Sequence, residues 1–207
     1  MGTFRFLVLP ALAVLLLASP VDDAAAQAVQ SQYTSTAAKM CRTHARSKAS
    51  DEMPWVELAC RGRGGYVVRV SDIDLRMTIS VGRTIAAAAK EPAAAKHFGP
   101  FNHAHDTVEW RSITGKPFAI IQRWSLSDNE NLAPSGRPSE VAMLVVTRLP
   151  PGPVCHVAYI DAKANPDDHN ALARQVADEQ AAAFRCSTDK TAIVGNPGRA
   201  TELAAPK

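Results

Sequence analysis

Three observations predict an α+β fold, a largely antiparallel sheet of about seven strands with a C-terminal helix packed on it. Runs of period-two alternation recur along the chain, most are joined by short turns, and one long amphipathic segment follows the last strand. A β-sandwich with an appended helix fits the same pattern. The final strand and helix are the unit around which the rest is arranged. Val154 to Ile160 alternates, with Cys155, Val157 and Tyr159 on one side and Val154, His156, Ala158 and Ile160 on the other. Asn165-Pro166-Asp167-Asp168 then supplies turn residues and carboxylates suited to a helix start. Across His169 to Arg185, residues Leu172, Ala173, Val176, Ala177, Gln180 and Phe184 recur at helical spacing. The small side chains on that stripe predict close packing against a sheet.

Six further strands are predicted before this unit. Trp55 to Cys60 leads into the turn Arg61-Gly62-Arg63-Gly64-Gly65, and Tyr66 to Val70 with Leu75 to Val81 makes a hairpin turning at residues 71–74. Thr107 to Ser112 and Pro117 to Leu126 form a second hairpin, with Ile113-Thr114-Gly115-Lys116 as its turn. Val141 to Arg148 is apolar on both faces and reads as a central strand. Between the hairpins, Ile85 to Lys90 and Ala93 to His97 are alanine-rich and predicted helical, with Pro92 between them. A short helix over Ala37 to His44 would carry Cys41, and residues 42–51 and 127–139 read as polar loops.

The ends set the domain limits. Residues 1–26 have the features of a cleaved signal peptide: Arg5, an apolar run from Phe6 to Ala18, and Ala24-Ala25-Ala26 for the peptidase. The run falls short of the roughly 20 apolar residues that span a bilayer, so no membrane span is expected in the mature protein. Residues 27–36 then read as a mobile leader, 37–186 as a single disulfide-bonded domain, and 187–207 as a disordered tail. The expected location is the periplasm or outside the cell.

All four cysteines, Cys41, Cys60, Cys155 and Cys186, lie beyond the signal segment, and an even number in an oxidising compartment favours two disulfides. Three pairings are open. Cys41 with Cys60 and Cys155 with Cys186 is favoured, because each bond staples neighbouring elements.

Composition bounds the function. The full chain carries a formal charge of +3, and losing Arg5, Asp22 and Asp23 with the signal makes the rest one charge more positive. That suits an anionic envelope polymer or an envelope protein as partner, and falls short of the dense basic patches that bind nucleic acid. Arg61, Arg63, Arg69 and Arg76 are the candidate face for such a partner, since guanidinium groups on neighbouring strands can grip carboxylate or phosphate. His97, His103, His105 and Glu109 are the candidate zinc or copper ligands, His103 and His105 sharing one side of an extended segment. No Gly-x-Ser-x-Gly, His-Glu-x-x-His, Cys-x-x-Cys or helix-leading phosphate loop occurs. Cys155 next to His156 is no nucleophile and base, because strand neighbours point apart and the sulfur is expected to be oxidised. The sequence therefore reads as an exported, noncatalytic binding module of the envelope. A metal-binding protein is the second reading and an unrecognised hydrolase the third.

Overall fold

The structure is a computed structural model describing residues 1–2 and 28–204. The expected signal peptide lies outside the described residues, apart from its first two positions. Ten strands form one mostly antiparallel sheet: β1 (Val29–Ser35), β2 (Cys41–Arg46), β3 (Trp55–Arg61), β4 (Val67–Ile73), β5 (Arg76–Gly82), β6 (Asn102–Ile113), β7 (Lys116–Leu132), β8 (Pro138–Arg148), β9 (His156–Asp161) and β10 (Ala192–Ile193). Among the described residues three α-helices accompany them, α1 (Ile85–Ala88), α2 (His169–Gln180) and α3 (Arg199–Ala204). Strands run in the order β10-β9-β8-β7-β6-β5-β4-β3-β2, with β1 paired to β6 off that path.

Both predicted hairpins form, each through a tighter turn than the sequence suggests. Ile73 faces Arg76 and Ile113 faces Lys116 across two-residue loops. Asp74, Leu75, Thr114 and Gly115 all take positive φ, the geometry whose twist matches that of paired strands. Ser71, Asp72 and Ile73 therefore belong to β4, and Leu75 is a turn residue.

The sheet is folded at one joint. Strand β5 meets β6 through a single parallel pair, Arg76 opposite Asn102. Inward side chains from the two halves share one core, in which Leu58, Val68, Val70 and Val81 join Trp110, Trp124, Met143 and Tyr159. Tyr66 stacks against Trp110 with ring centroids 6.4 Å apart. On the opposite face of β7 to β9, Ile121, Leu144, Val146 and Ile160 receive Ala173, Val176 and Ala177 of α2. Each buried Val, Leu or Ile side chain there contributes about 1.5–3 kcal/mol.

Helix α2 ends at Gln180, short of the expected Arg185, and Asp168 stands at its N-cap without a side-chain capping bond. Its C-terminal end is held instead by Arg148. That buried guanidinium donates to Ala181 O at 3.2 Å, Pro153 O at 2.8 Å and Pro151 O at 2.6 Å. A cation at this end complements the helix dipole.

Three strands exceed the expected seven, and all come from stretches read as loop, helix or tail. Residues 29–35, inside the expected mobile leader, form β1 against β6 over seven residue pairs. Cys41 opens a strand, preceded by a single 3-10 turn at Ala38–Met40, because Cys41 lies directly opposite Cys60 in the β2–β3 register. The stretch 187–204, expected to be disordered, contributes β10 and α3. Asp161 accepts the Ala200 amide at 2.8 Å, and Asp128 accepts two bonds from Arg199 at 2.8 Å each. Ala200 and Ala204 then enter the main core.

Candidate functional site

The turn between β3 and β4 is built by glycine. Gly64 and Gly65 have φ of 58° and 75°, and a Cβ on Gly62 would come within 2.7 Å of the Trp110 ring. Gly62 N donates to Tyr66 O at 3.0 Å and closes the turn. Arg61 and Arg63 are thereby exposed on either side of Gly62. Arg42 on β2 lies opposite Ala59, which puts it on the same outer face as Arg61.

These three arginines line a groove of about 790 Å³ together with Thr34, Ser35 and Met40. Among the described residues no carboxylate lines it. Among the described residues none of the three arginines makes an ion pair, and Arg63 donates to Tyr33 O at 3.1 Å. A guanidinium without a carboxylate partner keeps its donors free for an anion.

The other two arginines of the expected face are committed elsewhere. Register places Arg69 and Arg76 on the outer face with Arg61, but Arg69 is paired with Glu57. Arg76 pairs with Asp74 at 2.6 Å and lies 4.7 Å over the Phe101 ring. Arg42, missing from the sequence-based set, takes their place. Its signal was the Cys41–Cys60 pairing, which makes 41–46 a strand and fixes the direction of its side chains.

The four candidate metal ligands do not converge. The His103 and His105 rings stack at 5.6 Å, and His105 Nε2 lies 3.0 Å from Ser125 Oγ. Burial, followed by the charges of His103 and Arg123, lowers the His105 pKa. Glu109 accepts from Arg174 at 2.6 and 3.1 Å and also receives the Ser31 hydroxyl. His97 lines a separate cavity with Asp128 and Arg199. A register shift in β6 between Ala104 and Val108 separates the histidine pair from Glu109. Among the described residues no three His, Cys, Asp or Glu side chains are grouped to hold a metal ion.

Both favoured disulfides form, Cys41–Cys60 and Cys155–Cys186. His156 is buried and approaches Tyr159 OH at 3.0 Å through Nδ1. Burial, assisted by Lys96, pushes its pKa down to about 3, and burial pushes the Tyr159 hydroxyl up. Four carboxylates of the sheet are each engaged: Glu57 with Arg69, Asp74 with Arg76, Glu109 with Arg174, and Asp161 with backbone amides. Trp110 and Trp124 are core residues, whereas Trp55 is exposed.

Compared with known protein families, curated proteins and solved structures, the chain finds no match. What fold and site define is a sheet-rich α+β domain with two disulfides and an arginine groove beside a glycine turn. Among the described residues no helix is long and apolar enough to cross a membrane.

Proposed function

We propose that this chain is an exported, noncatalytic envelope module that binds an anionic partner in the Arg42–Arg61–Arg63 groove. The observation carrying this reading is the groove itself, about 790 Å³ lined by three arginines and no carboxylate. Guanidinium forks bind carboxylate and phosphate with two parallel hydrogen bonds, so such a groove suits the repeating anions of an envelope polymer or the acidic face of an envelope protein. Export is supported by the apolar leader and by two disulfides, which persist in oxidising compartments. The metal reading has less behind it, because Glu109 is committed to Arg174.

Binding of the oxidised protein to immobilised polyglutamate or polyphosphate, at several salt concentrations, tests the groove. Substituting Arg42→Gln, Arg61→Gln and Arg63→Gln together should weaken binding at least tenfold and flatten its salt dependence. Arg76→Gln, whose cation is already paired, should change it less than twofold. Equal binding by the triple variant and the wild type would remove the groove as the site.

A further inference from the structure

A second cleft opens on the other side of the same glycine turn. It has a volume of about 640 Å³, in the range of small-molecule sites. Three turns and a helix end converge on it: the β3–β4 turn at Gly64, the β6–β7 turn, the proline segment after β8, and the C-terminal end of α2 at Asp178 with Ala182 just beyond it. Gly64 and Tyr66 line both cavities, so they form the wall between the cleft and the arginine groove.

The cleft combines an apolar body with unpaired positive charge. Ile113, Phe118, Pro150 and Pro151 supply apolar walls, and proline holds its part of the wall rigid. Arg83 and Lys116 also line it, both exposed, and among the described residues neither makes an ion pair. The Arg83 guanidinium lies 4.0 Å over the Tyr66 ring centroid and donates to Gly64 O, which fixes its position. Among the described residues Asp178 is the one acidic lining residue, and both its oxygens are taken by Arg111, at 2.8 and 2.6 Å. The charge left for a ligand is therefore positive.

We infer that this cleft binds a small amphipathic organic anion, with an aromatic or short acyl body against Ile113, Phe118 and the prolines and its carboxylate, sulfonate or phosphate facing Arg83 and Lys116. A flat apolar wall alone would take neutral and anionic ligands alike. Two unpaired cations at one cleft favour the anion, because its charge meets guanidinium and ammonium groups that no carboxylate neutralises. The site is separate from the groove for polymeric anions, and neither reading depends on the other.

The test uses the aromatic sulfonate 1-anilinonaphthalene-8-sulfonate as anionic probe and N-phenyl-1-naphthylamine as its uncharged counterpart, titrated into the oxidised protein. One saturable sulfonate site is expected, with the uncharged dye at least tenfold weaker. Arg83→Gln with Lys116→Gln should weaken the sulfonate at least tenfold and bring the two dyes to similar affinity. Arg42→Gln with Arg61→Gln should leave dye binding within twofold. In the wild-type protein, the backbone amide signals of Gly64, Gly115 and Lys116 should shift on dye addition, which locates the site without any substitution. No saturable binding, an unaffected Arg83/Lys116 variant, or amide shifts centred on Arg42 and Arg61 would each overturn the assignment.

Discussion

Arg174 on α2 holds Glu109 on β6 through two hydrogen bonds, at 2.6 and 3.1 Å, across 65 positions of sequence. Next to it, Arg111 on β6 holds Asp178 on α2, so the helix and the sheet exchange one cation in each direction. The contact does two things at once. It completes the docking that Ala173, Val176 and Ala177 begin, and it engages the Glu109 carboxylate.

Replacing Arg174 by alanine should therefore destabilise the protein. The Glu109 side chain is 11% exposed but that of Arg174 is 41% exposed, so solvent screens much of the pair. The expected loss is about 1–2 kcal/mol, below the 3–5 kcal/mol typical of a broken, fully buried pair. Urea unfolding measures it, and a double-mutant cycle with Glu109→Gln isolates the pairwise part. A coupling near zero would mean that α2 is held without this pair, by its apolar stripe and the Arg111–Asp178 bridge.

The C-terminal segment should be protected from proteolysis by two carboxylates. Asp128 lies buried beneath Arg199, which holds its carboxyl well below the usual carboxylate range, and Asp161 accepts the amides of Lys163 and Ala164 just after it and of Ala200 in α3. Arg199→Ala removes one anchor, and the expected result is rapid cleavage within residues 187–204 while the sheet survives. Wild-type resistance throughout that segment in the variant would show that β10 and the alanines of α3 suffice.

The strands legible in the sequence are those whose own side chains alternate or, for β8, are apolar on both faces. β4 and β5 present Val68, Val70, Ile79 and Val81 inward, β7 buries most residues from Pro117 to Asp128, and β8 buries every residue from Met143 to Arg148. β1 was illegible because Val-Gln-Ser-Gln-Tyr-Thr-Ser has no apolar face. Its side chains serve as partners for buried polar groups on β6, Thr34 for the Trp110 indole at 2.8 Å and Ser31 for Glu109. Only the tertiary register reveals that role. The arginine face was half legible for a related reason. Alternation puts Arg61, Arg69 and Arg76 on one side, but which arginines remain free depends on whether a carboxylate stands across the strand. Glu57 opposite Ser71 and Asp74 in the turn answer that for Arg69 and Arg76. The cleft at Arg83 and Lys116 joins turns far apart in the chain, so no local pattern announces it.

His156 should make stability fall with acid. Its folded pKa, about 3, lies below its unfolded value, so the unfolded chain binds the extra proton first. The contribution is fully present above pH ~6.5 and is lost as pH falls through the window down to about 3. The slope is roughly 1.4 kcal/mol per pH unit within that window. The Asp128 carboxyl, also depressed, loses its contribution only at lower pH, within and below the ordinary carboxylate range. Unfolding free energies of wild type and His156→Phe, measured between pH 7 and pH 4.5, separate the two. The variant should show a flatter profile, and parallel profiles would place the acid sensitivity elsewhere.

The two disulfides should divide stability from binding. Cys155–Cys186 closes a separation of 31 residues and Cys41–Cys60 one of 19, so each constrains the unfolded chain by about 3–4 kcal/mol on the entropic account. Their positions differ more than their energies. Cys155–Cys186 fastens the strand before α2 to the segment after it, away from the groove, so Cys155→Ser with Cys186→Ser should lower stability and leave polyanion affinity within twofold. Cys41–Cys60 ties the edge strand β2 to β3, with Arg42 and Arg61 as the next residues in sequence, and Cys60 itself lines the groove. Cys41→Ser with Cys60→Ser should cost similar stability and also weaken polyanion binding several-fold, because the edge strand that carries Arg42 is then free to fray. Chemical unfolding paired with the polyglutamate assay reads both quantities on one preparation. Equal binding by the two double variants would mean that β2 keeps its register through hydrogen bonds alone.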